Sequence, residues 1–230
     1  MGSSDAAMGR TRYTDEERGR IMTTFIRAAR EIIDAEGIDN ISIRKIASLT
    51  GMNSATMYLY FPDSDVLTTM ALMGYLEKYC RALAADMPKM KTSEDALFHS
   101  WEIFCRYAFA NPSAFQHIFF CRHTVPLAEI IERYYQLFPD QLKNISGNVL
   151  DMLREGSIED RSWKVLWPVA QERGFTEDQA RIINEMIIAY FRDLLEERCR
   201  ESDGLLKSVQ LSDKMKHAIQ LLLCPKEQTA

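Results

Sequence analysis

The chain has 230 residues, enough to bury a large core, and this length permits one or two domains. Hydrophobic residues make up 47% and charged residues 27%, a balance that excludes a disordered chain and favours a soluble globular protein. The formal net charge of -5 excludes binding to nucleic acids by overall charge, so any contact with DNA has to come from a local patch.

No run of about 18 apolar residues is present, so no membrane-spanning segment is predicted. Residues 1–12 lack the apolar stretch of a signal peptide, and we expect them to be a disordered tail or a remnant of recombinant expression. Five cysteines are scattered and never spaced as C-x-x-C, which argues against a disulfide framework or a zinc module. A cytoplasmic location is therefore expected.

A first long helix is predicted to begin after Thr14, which forms a capping-box pattern with Glu17, and to end at Gly37. Its apolar face carries two small residues in the middle, which allow a second helix to approach closely. This face comprises Phe25, Ala28, Ala29, Ile32 and Ile33.

Two short helices are predicted to follow, over 43–49 after the N-cap Ser42 and over 54–60 after a turn that contains Gly51. Two short helices joined by a four-residue turn behind a longer amphipathic helix are typical of a helix-turn-helix. An ordinary α-hairpin is the alternative. A long fourth helix is predicted from Asp63 towards Asp86.

Three segments resemble the TetR/AcrR family of regulators in helix, turn and cap positions together. They are residues 25–37, residues 42–51 and residues 53–61, with Pro62 and Leu67 beyond, and a weaker resemblance covers 107–115. The resemblance implies an all-α fold with an N-terminal three-helix helix-turn-helix domain, over 13–70 with the start of the linking fourth helix. Residues 71–230 would form a C-terminal helical ligand-binding and dimerisation domain.

The residues expected to meet DNA lie around the second helix of the motif, whose N-terminal part presents side chains to base edges in the major groove. They are Arg12, Arg44, Lys45, Asn53, Ser54, Ala55, Thr56, Tyr58 and Tyr60. The tyrosine hydroxyls and the cations suit phosphates, and lysine also suits guanine. The alternative is that the tyrosines pack inside and that Arg44 pairs with a carboxylate.

Two features depart from the family pattern. The predicted recognition helix has no charge, and Ser64 stands where the family usually has lysine, between Asp63 and Asp65. Residues 1–70 contain eight lysines and arginines against ten carboxylates. We therefore expect modest DNA affinity and a shallow dependence on salt, because few phosphates can be neutralised.

Aromatic residues are concentrated between positions 98 and 167, where the family resemblance implies an effector cavity for an apolar or aromatic molecule. Filling of the core is the alternative for each ring. The candidates for ligand binding are Trp101, Phe104, Cys105, Phe115, Phe119, Tyr134, Tyr135, Phe138, Trp163 and Trp167, with Arg106, Arg122 and His123 as candidate polar anchors.

No metal site, cofactor or enzyme activity is predicted. His117 and Cys121 are four residues apart on a predicted helix, and His123 is near, but nothing in the sequence supplies the remaining ligands of a metal. No pairing of a nucleophile with a base and no glycine-rich phosphate loop is present.

Two C-terminal apolar stripes, in a helix opened by Thr176 and Glu177 and in a helix over 214–223, resemble the dimerisation helices of the family. An intramolecular hairpin that covers the core is the alternative. The candidate interface residues are Ile183, Met186, Ile187, Tyr190, Leu194, Met215, Ile219 and Leu222.

The resemblance therefore implies a ligand-responsive transcriptional regulator, with repression as the expected sign. It would bind a palindromic double-stranded operator as a homodimer and be released by a small-molecule effector. An interaction protein or ligand-sequestering protein with weakened DNA binding is the alternative, favoured by Ser64 and the uncharged recognition helix.

Overall fold

The computed structural model describes residues 14–143, 148–200 and 205–224, and these residues form an all-α fold without a strand. The described helices are α1 (Asp15–Glu36), α2 (Ile43–Thr50), α3 (Ser54–Met57), α4 (Ser64–Asp86), α5 (Ser93–Ala110), α6 (Pro112–Phe120), α7 (Leu127–Leu137), α8 (Asn148–Arg154), α9 (Ile158–Glu172), α10 (Glu177–Arg200) and α11 (Leu205–Leu222). No helix within these ranges is long and apolar enough to span a membrane.

The predicted ends of α1 are confirmed. The Glu17 amide donates to the Thr14 hydroxyl at 3.2 Å, and the Thr14 amide donates to the Glu17 carboxylate at 2.7 Å, which completes the capping box. Gly37 ends the helix with a φ of 87°, a conformation that disfavours residues with a Cβ.

The predicted caps of the two short helices are also confirmed. The Ser42 hydroxyl accepts from the amide of Lys45 at 3.3 Å, and Gly51 adopts the left-handed conformation with a φ of 68°. The Asn53 side chain accepts from the amide of Ala55 at 2.9 Å. These local bonds hold the turn between α2 and α3 in place.

The third helix is shorter than predicted, because regular α-helical structure ends at Met57 and the chain continues to Tyr60 as a turn. The amides of Leu59 and Tyr60 donate to carbonyls three residues earlier, which tightens the backbone before Pro62. Met57 itself is fully buried in the hydrophobic core, and α3 packs on α2.

Helix α4 is the central element of the chain. It begins after Asp63, whose carboxylate accepts from the amide of Val66 at 2.9 Å, and it ends at Asp86 as predicted. Thirteen of its side chains are buried, and it packs against α1 on one side and against α5, α6 and α7 on the others. Residue 70, the predicted domain boundary, thus lies inside a continuous helix.

The C-terminal pair of helices is present, with α11 beginning at Leu205, nine residues before the predicted start. Before α10, the backbone amide of Thr176 donates to the Gln179 side chain at 3.0 Å, and the Thr176 hydroxyl accepts from the Gln179 amide at 3.3 Å. Helix α11 packs chiefly on α5, and α10 packs chiefly on α9 and α6.

Candidate DNA-binding surface and effector cavity

The outer face of α3 and of the turn that follows it is exposed. Ala55 is exposed, Ser54 and Thr56 are half-buried, and Tyr58 is 55% exposed. Leu59, which was not among the predicted residues, is 73% exposed. An exposed leucine next to a tyrosine gives this face an apolar as well as a hydroxyl-bearing surface.

Tyr60 differs from Tyr58 in its burial. Its side chain is only 8% exposed and packs in the core, whereas its backbone carbonyl accepts a hydrogen bond of 2.8 Å from Arg133 on α7. Because the turn after Met57 rotates the backbone, Tyr58 points outwards and the ring of Tyr60 points inwards.

The cations near α3 differ in their partners. Arg44 is exposed, and no described residue forms an ion pair with it, whereas Lys45 pairs with Glu36 across the end of α1. Asn53 is exposed, but its carbonyl oxygen is used by the cap. Arg12 lies outside the described residues. Among the predicted cations that the structure describes, Arg44 is therefore the one without an ion-pair partner, and it is accessible to a phosphate.

The two acidic residues that flank Ser64 face internal partners. Asp63 caps α4 and also accepts from the Thr124 hydroxyl, and Asp65 lies against His117 and His123. Both carboxylates thus contact residues of the larger domain.

Several hydrogen bonds connect the N-terminal helices to the larger domain. Arg30 on α1 donates to the Ala71 carbonyl at 3.1 Å and to the Tyr134 hydroxyl at 3.0 Å. The Tyr75 hydroxyl donates to Asp34 at 2.7 Å. Together with the bond from Arg133 to the Tyr60 carbonyl, these contacts place α4 and α7 directly behind the helix-turn-helix.

An aromatic cluster fills the centre of the larger domain. Phe104 lies at its centre, and the centroids of five other rings lie between 5.0 and 5.8 Å from the centroid of Phe104. These rings belong to Tyr79, Trp101, Phe115, Phe119 and Phe191. Edge-to-face packing at such distances stabilises the interior beyond simple burial.

A small cavity of about 30 Å³ lies beside this cluster, and its volume suits one water molecule. Of the ten predicted ligand-binding residues, Trp101 and Phe104 line it. The other lining residues are Tyr79, Ser100, Met152, Ile158, Arg161, Ser162 and Val165. Sequence reasoning missed Arg161 and Ser162, because a cation and a hydroxyl on a helix are ordinarily surface groups.

The polar groups of this cavity are buried. Arg161 is 4% exposed, donates twice to the Glu155 carbonyl at 3.0 and 2.8 Å, and lies over the ring of Phe119 at 5.3 Å. The hydroxyl oxygen of Ser162 is buried and forms no hydrogen bond with any described residue. Burial raises the pKa of Tyr79, so its hydroxyl stays protonated.

Two larger clefts adjoin the cavity. One of about 460 Å³ lies between the end of α4, the start of α5, α8 and α9, and it shares Ser100, Met152 and Val165 with the cavity. The other, of about 610 Å³, lies between α5 and α11 and shares Trp101 with the cavity. Both volumes are in the range of small-molecule sites.

The remaining predicted ligand residues lie elsewhere. Tyr134 packs edge-to-face against Tyr135 and in a tilted arrangement against Phe138, with centroids 5.2 and 4.8 Å apart, next to α1. Trp163 and Trp167 stack on each other at 5.2 Å and are half-buried on a different face of α9 from the cavity residues. Phe115 and Phe119 belong to the aromatic cluster, and Cys105 lines the cleft beside α11. The candidate anchor Arg106 also lines that cleft, and Arg122 is exposed.

The predicted interface residues divide into two groups. Five are buried within the single chain; these are Ile183, Ile187, Leu194, Met215 and Ile219. Met186 and Tyr190 are exposed on α10, and Leu222 is half-buried. Ile182, four residues before Met186, is exposed as well.

A cluster that could hold a metal lies where α4 begins. Ligand atoms of Asp65, His117 and His123 lie within 4.8 Å of one another, whereas the Cys121 sulfur is not part of this group. Burial lowers the pKa of His117, which favours its neutral form. The residue that groups with the two histidines is thus Asp65, which is distant in the sequence, and not Cys121.

Comparison with known proteins supports the fold. Residues 25–67 match the sequence model of bacterial regulatory proteins of the tetR family. Among solved structures, the chain is similar to FadR of Thermus thermophilus, described as a TetR-family transcriptional repressor in complex with lauroyl-CoA. The TM-score is 0.58 at 12% identity, over 91% of this chain and 98% of that one. No curated protein sequence matches.

Proposed function

We propose that this chain, a TetR-family regulator by its N-terminal domain, binds a palindromic operator as a homodimer and is released from it by a small effector. The observation that carries the proposal is one of position. The family match covers residues 25–67, and that segment contains α3, whose outer face is exposed and free of intramolecular cover.

Small side chains of α3 would make most of the contacts with the bases. Ala55 and the methyl group of Thr56 suit thymine methyl groups, and Ser54 suits either a base edge or a phosphate. The Tyr58 hydroxyl and Arg44 would fix the position of the domain on the phosphates. Because few cations face the DNA, we expect a weak dependence of affinity on salt.

Dimerisation follows from the geometry of an operator, since two recognition helices must lie about 34–36 Å apart to enter successive turns of the major groove. The exposed apolar residues of α10, Ile182, Met186 and Tyr190, are spaced by four and form one face. We place the dimer interface on this face, which would pack against its symmetry equivalent.

The effector would enter the 460 Å³ cleft between α4, α5, α8 and α9 and extend towards the aromatic cavity. The Ser162 hydroxyl and the Arg161 guanidinium line this cavity, so the effector would combine an apolar body with an acceptor such as a carbonyl or carboxylate. Lauroyl-CoA, which is bound in the FadR structure, has both parts and is a suitable first probe.

Coupling between the two sites would run through α4 and α7. The cleft contains Leu83 near the end of α4, while the other end of α4 follows the helix-turn-helix directly. Arg133 and Tyr134 on α7 contact the N-terminal helices. Effector and DNA would then weaken each other's binding equally, typically by about 1–3 kcal/mol.

The proposal is tested by selecting bound sequences from random duplex DNA with the purified full chain, beside a Tyr58→Ala, Thr56→Ala double variant. We expect the wild type to enrich a palindrome and the variant to enrich none. Enrichment of the same sequence by both would remove α3 from the reading surface, and failure of the wild type to enrich any sequence would contradict operator binding.

A sequestering or interaction protein is the second candidate, and the pairing of Lys45 with Glu36 favours it, because this pair withdraws a cation from the DNA side. This candidate predicts equal, weak retention of selected and random DNA at low salt. A clear preference for the selected sequence would contradict it.

A further inference from the structure

Three side chains from distant parts of the sequence meet at the start of α4. His117 Nε2 lies 3.2 Å from Asp65 Oδ1, and His123 Nδ1 lies 2.9 Å from Asp65 Oδ2. His123 is largely buried, and the other two side chains are at most about a quarter exposed. We propose that Asp65, His117 and His123 bind a divalent transition metal ion of the zinc, cobalt or nickel class.

The hydrogen bond of His123 to a backbone carbonyl orients its ring as in metal-binding histidines. His123 Nε2 lies 3.0 Å from the Ile118 carbonyl, and a carbonyl can only accept, so this nitrogen carries a proton. In a neutral imidazole, Nδ1 then presents a lone pair towards the Asp65 carboxylate. Metal-binding histidines typically donate their other ring nitrogen to such a carbonyl, which fixes the tautomer and the ring orientation.

A hydroxyl lies beside both imidazoles. Thr69 Oγ1 lies 3.2 Å from His117 Nε2 and 3.5 Å from His123 Nδ1, but it donates its one proton to the Asp65 backbone carbonyl at 2.9 Å. A cation between the two imidazoles and the carboxylate would be bound by all three groups at once.

The distances fit shared coordination. Donor atoms bound to one ion at about 2.0–2.1 Å lie about 2.9–3.4 Å apart in tetrahedral or octahedral geometry. The two separations from Asp65 fall in this range, each to a different oxygen of the carboxylate, and all the ligand atoms lie within 4.8 Å of one another. Two imidazoles with one carboxylate suit zinc, cobalt and nickel better than magnesium or calcium, which prefer oxygen ligands alone. The Thr69 hydroxyl or a water molecule would complete the coordination.

The location of the cluster gives the ion a regulatory consequence. Asp65 is the second residue of α4, directly after the helix-turn-helix, whereas His117 is on α6 and His123 is in the segment before α7. A bound ion would lock the start of α4 to α6 and so fix the orientation of the DNA-binding helices. This second part rests on the proposed function, whereas metal binding itself does not.

The site is tested by titrating zinc into the metal-free full chain, without an affinity tag, by isothermal calorimetry. We expect one ion per chain with micromolar or tighter affinity, at least tenfold weaker in His123→Gln and Asp65→Asn. His217→Gln, on the exposed face of α11, is the matched control and should bind as the wild type does. No binding to the wild type, or equal weakening in the control, would overturn the site.

Cobalt gives a readout in the wild type alone, in case a variant fails to fold. We expect ligand-field absorption bands in the visible range without a sulfur charge-transfer band, since Cys121 lies outside the ligand group. Bands of free aqueous cobalt only would overturn the site. A strong sulfur band would overturn the assigned ligand set.

The regulatory part has a separate test. The affinity of the selected operator is measured with and without zinc, and we expect a change of fivefold or more in the wild type that is lost in Asp65→Asn. If zinc binds and the affinity does not change, the regulatory part is overturned while the site stands. If no operator is bound at all, the proposed function fails and the calorimetric result is unaffected.

Discussion

The side chain of Arg30 on α1 donates a hydrogen bond of 3.0 Å to the hydroxyl of Tyr134 on α7, across the middle of α4. The same guanidinium donates to the backbone carbonyl of Ala71 on α4 at 3.1 Å. Gly74 leaves room for this crossing, because a Cβ there would lie 3.1 Å from the Arg30 Cζ atom. One side chain thus joins the first helix to two elements of the larger domain.

Tyr134→Phe keeps the buried ring and removes the hydroxyl that Arg30 contacts. We expect the free energy of unfolding to fall by about 1–2 kcal/mol, because one donor of a partly buried guanidinium loses its partner. The fall is measured by urea denaturation. We also expect a smaller effector-induced change in operator affinity, because the contact between α1 and α7 is weakened.

Tyr135→Phe is the matched control, since it removes a hydroxyl from the neighbouring ring. The Tyr135 hydroxyl is buried and has no hydrogen-bond partner among the described residues. Its removal should leave the stability unchanged or raise it. Equal destabilisation by the two substitutions would show that the hydrogen bond to Arg30 contributes nothing.

Tyr58→Phe tests the outer face of α3. Loss of one hydroxyl that contacts a phosphate should weaken operator binding about fivefold, the equivalent of about 1 kcal/mol, with no change in melting temperature. Tyr60→Phe should leave DNA affinity unchanged, because that ring is buried. Fluorescence anisotropy with the selected operator compares the two, and a larger effect at Tyr60 would refute this orientation.

The contrast between these tyrosines shows what the sequence can predict. The caps at Thr14, Ser42 and Asn53 were predictable because each depends on residues within three positions along the chain. The burial of Tyr60 was not, because it depends on a short turn and on Arg133, which lies far away in sequence. Helix caps can therefore be predicted from neighbouring residues in the sequence, whereas the orientation of a side chain at the end of a short helix is determined by tertiary packing.

The larger domain shows the same limit. An apolar stripe such as that of α10 has the same spacing whether it faces its own core or a second chain, so Ile187 and Met186 could not be separated in advance. Arg161 gave no signal, because its role depends on a carbonyl and a ring that the fold brings near. Asp65 is about fifty residues from His117, so its part in the histidine cluster appears only in the fold.

Gly156→Ala tests a close approach between the segment before α9 and the start of α7. A Cβ at this position would lie 2.7 Å from the backbone nitrogen of Ala128, which cannot move without shifting the helix. We expect a loss of about 1–3 kcal/mol in the free energy of unfolding, measured by thermal melting.

Gly19→Ala is the opposite case and serves as the control. A Cβ there would lie 3.7 Å from Leu137, an ordinary contact, and the residue is inside α1. Alanine should raise the stability by up to about 1 kcal/mol through its higher helix propensity. We expect Gly156→Ala to lower the free energy of unfolding and Gly19→Ala to raise it. A stabilising Gly156→Ala would mean that the two segments are not packed closely.

Ser162→Ala tests the assignment of the effector cavity. The hydroxyl has no partner among the described residues, so its loss should not lower stability, but it should weaken binding of lauroyl-CoA severalfold by removing a donor. Ser212→Ala, in the cleft between α5 and α11, is the control and should leave binding unchanged. If only Ser212→Ala weakens binding of lauroyl-CoA, the effector site is the cleft between α5 and α11. If the wild type does not bind lauroyl-CoA either, lauroyl-CoA is not an effector.

Met186→Asp tests the dimer interface proposed on α10. Met186 is 49% exposed in the single chain, with Ile182 one turn before it and Tyr190 one turn after. A carboxylate at the centre of this face would be buried without a partner in the dimer, which costs several kcal/mol, so we expect sedimentation velocity to show a monomer. Leu49→Asp, a change at a similarly exposed leucine on α2, should remain dimeric. A dimer that survives Met186→Asp but dissociates when a charge is introduced elsewhere on α10 or α11 would place the interface on another face. In that case the variant that dissociates the dimer should also lose operator binding.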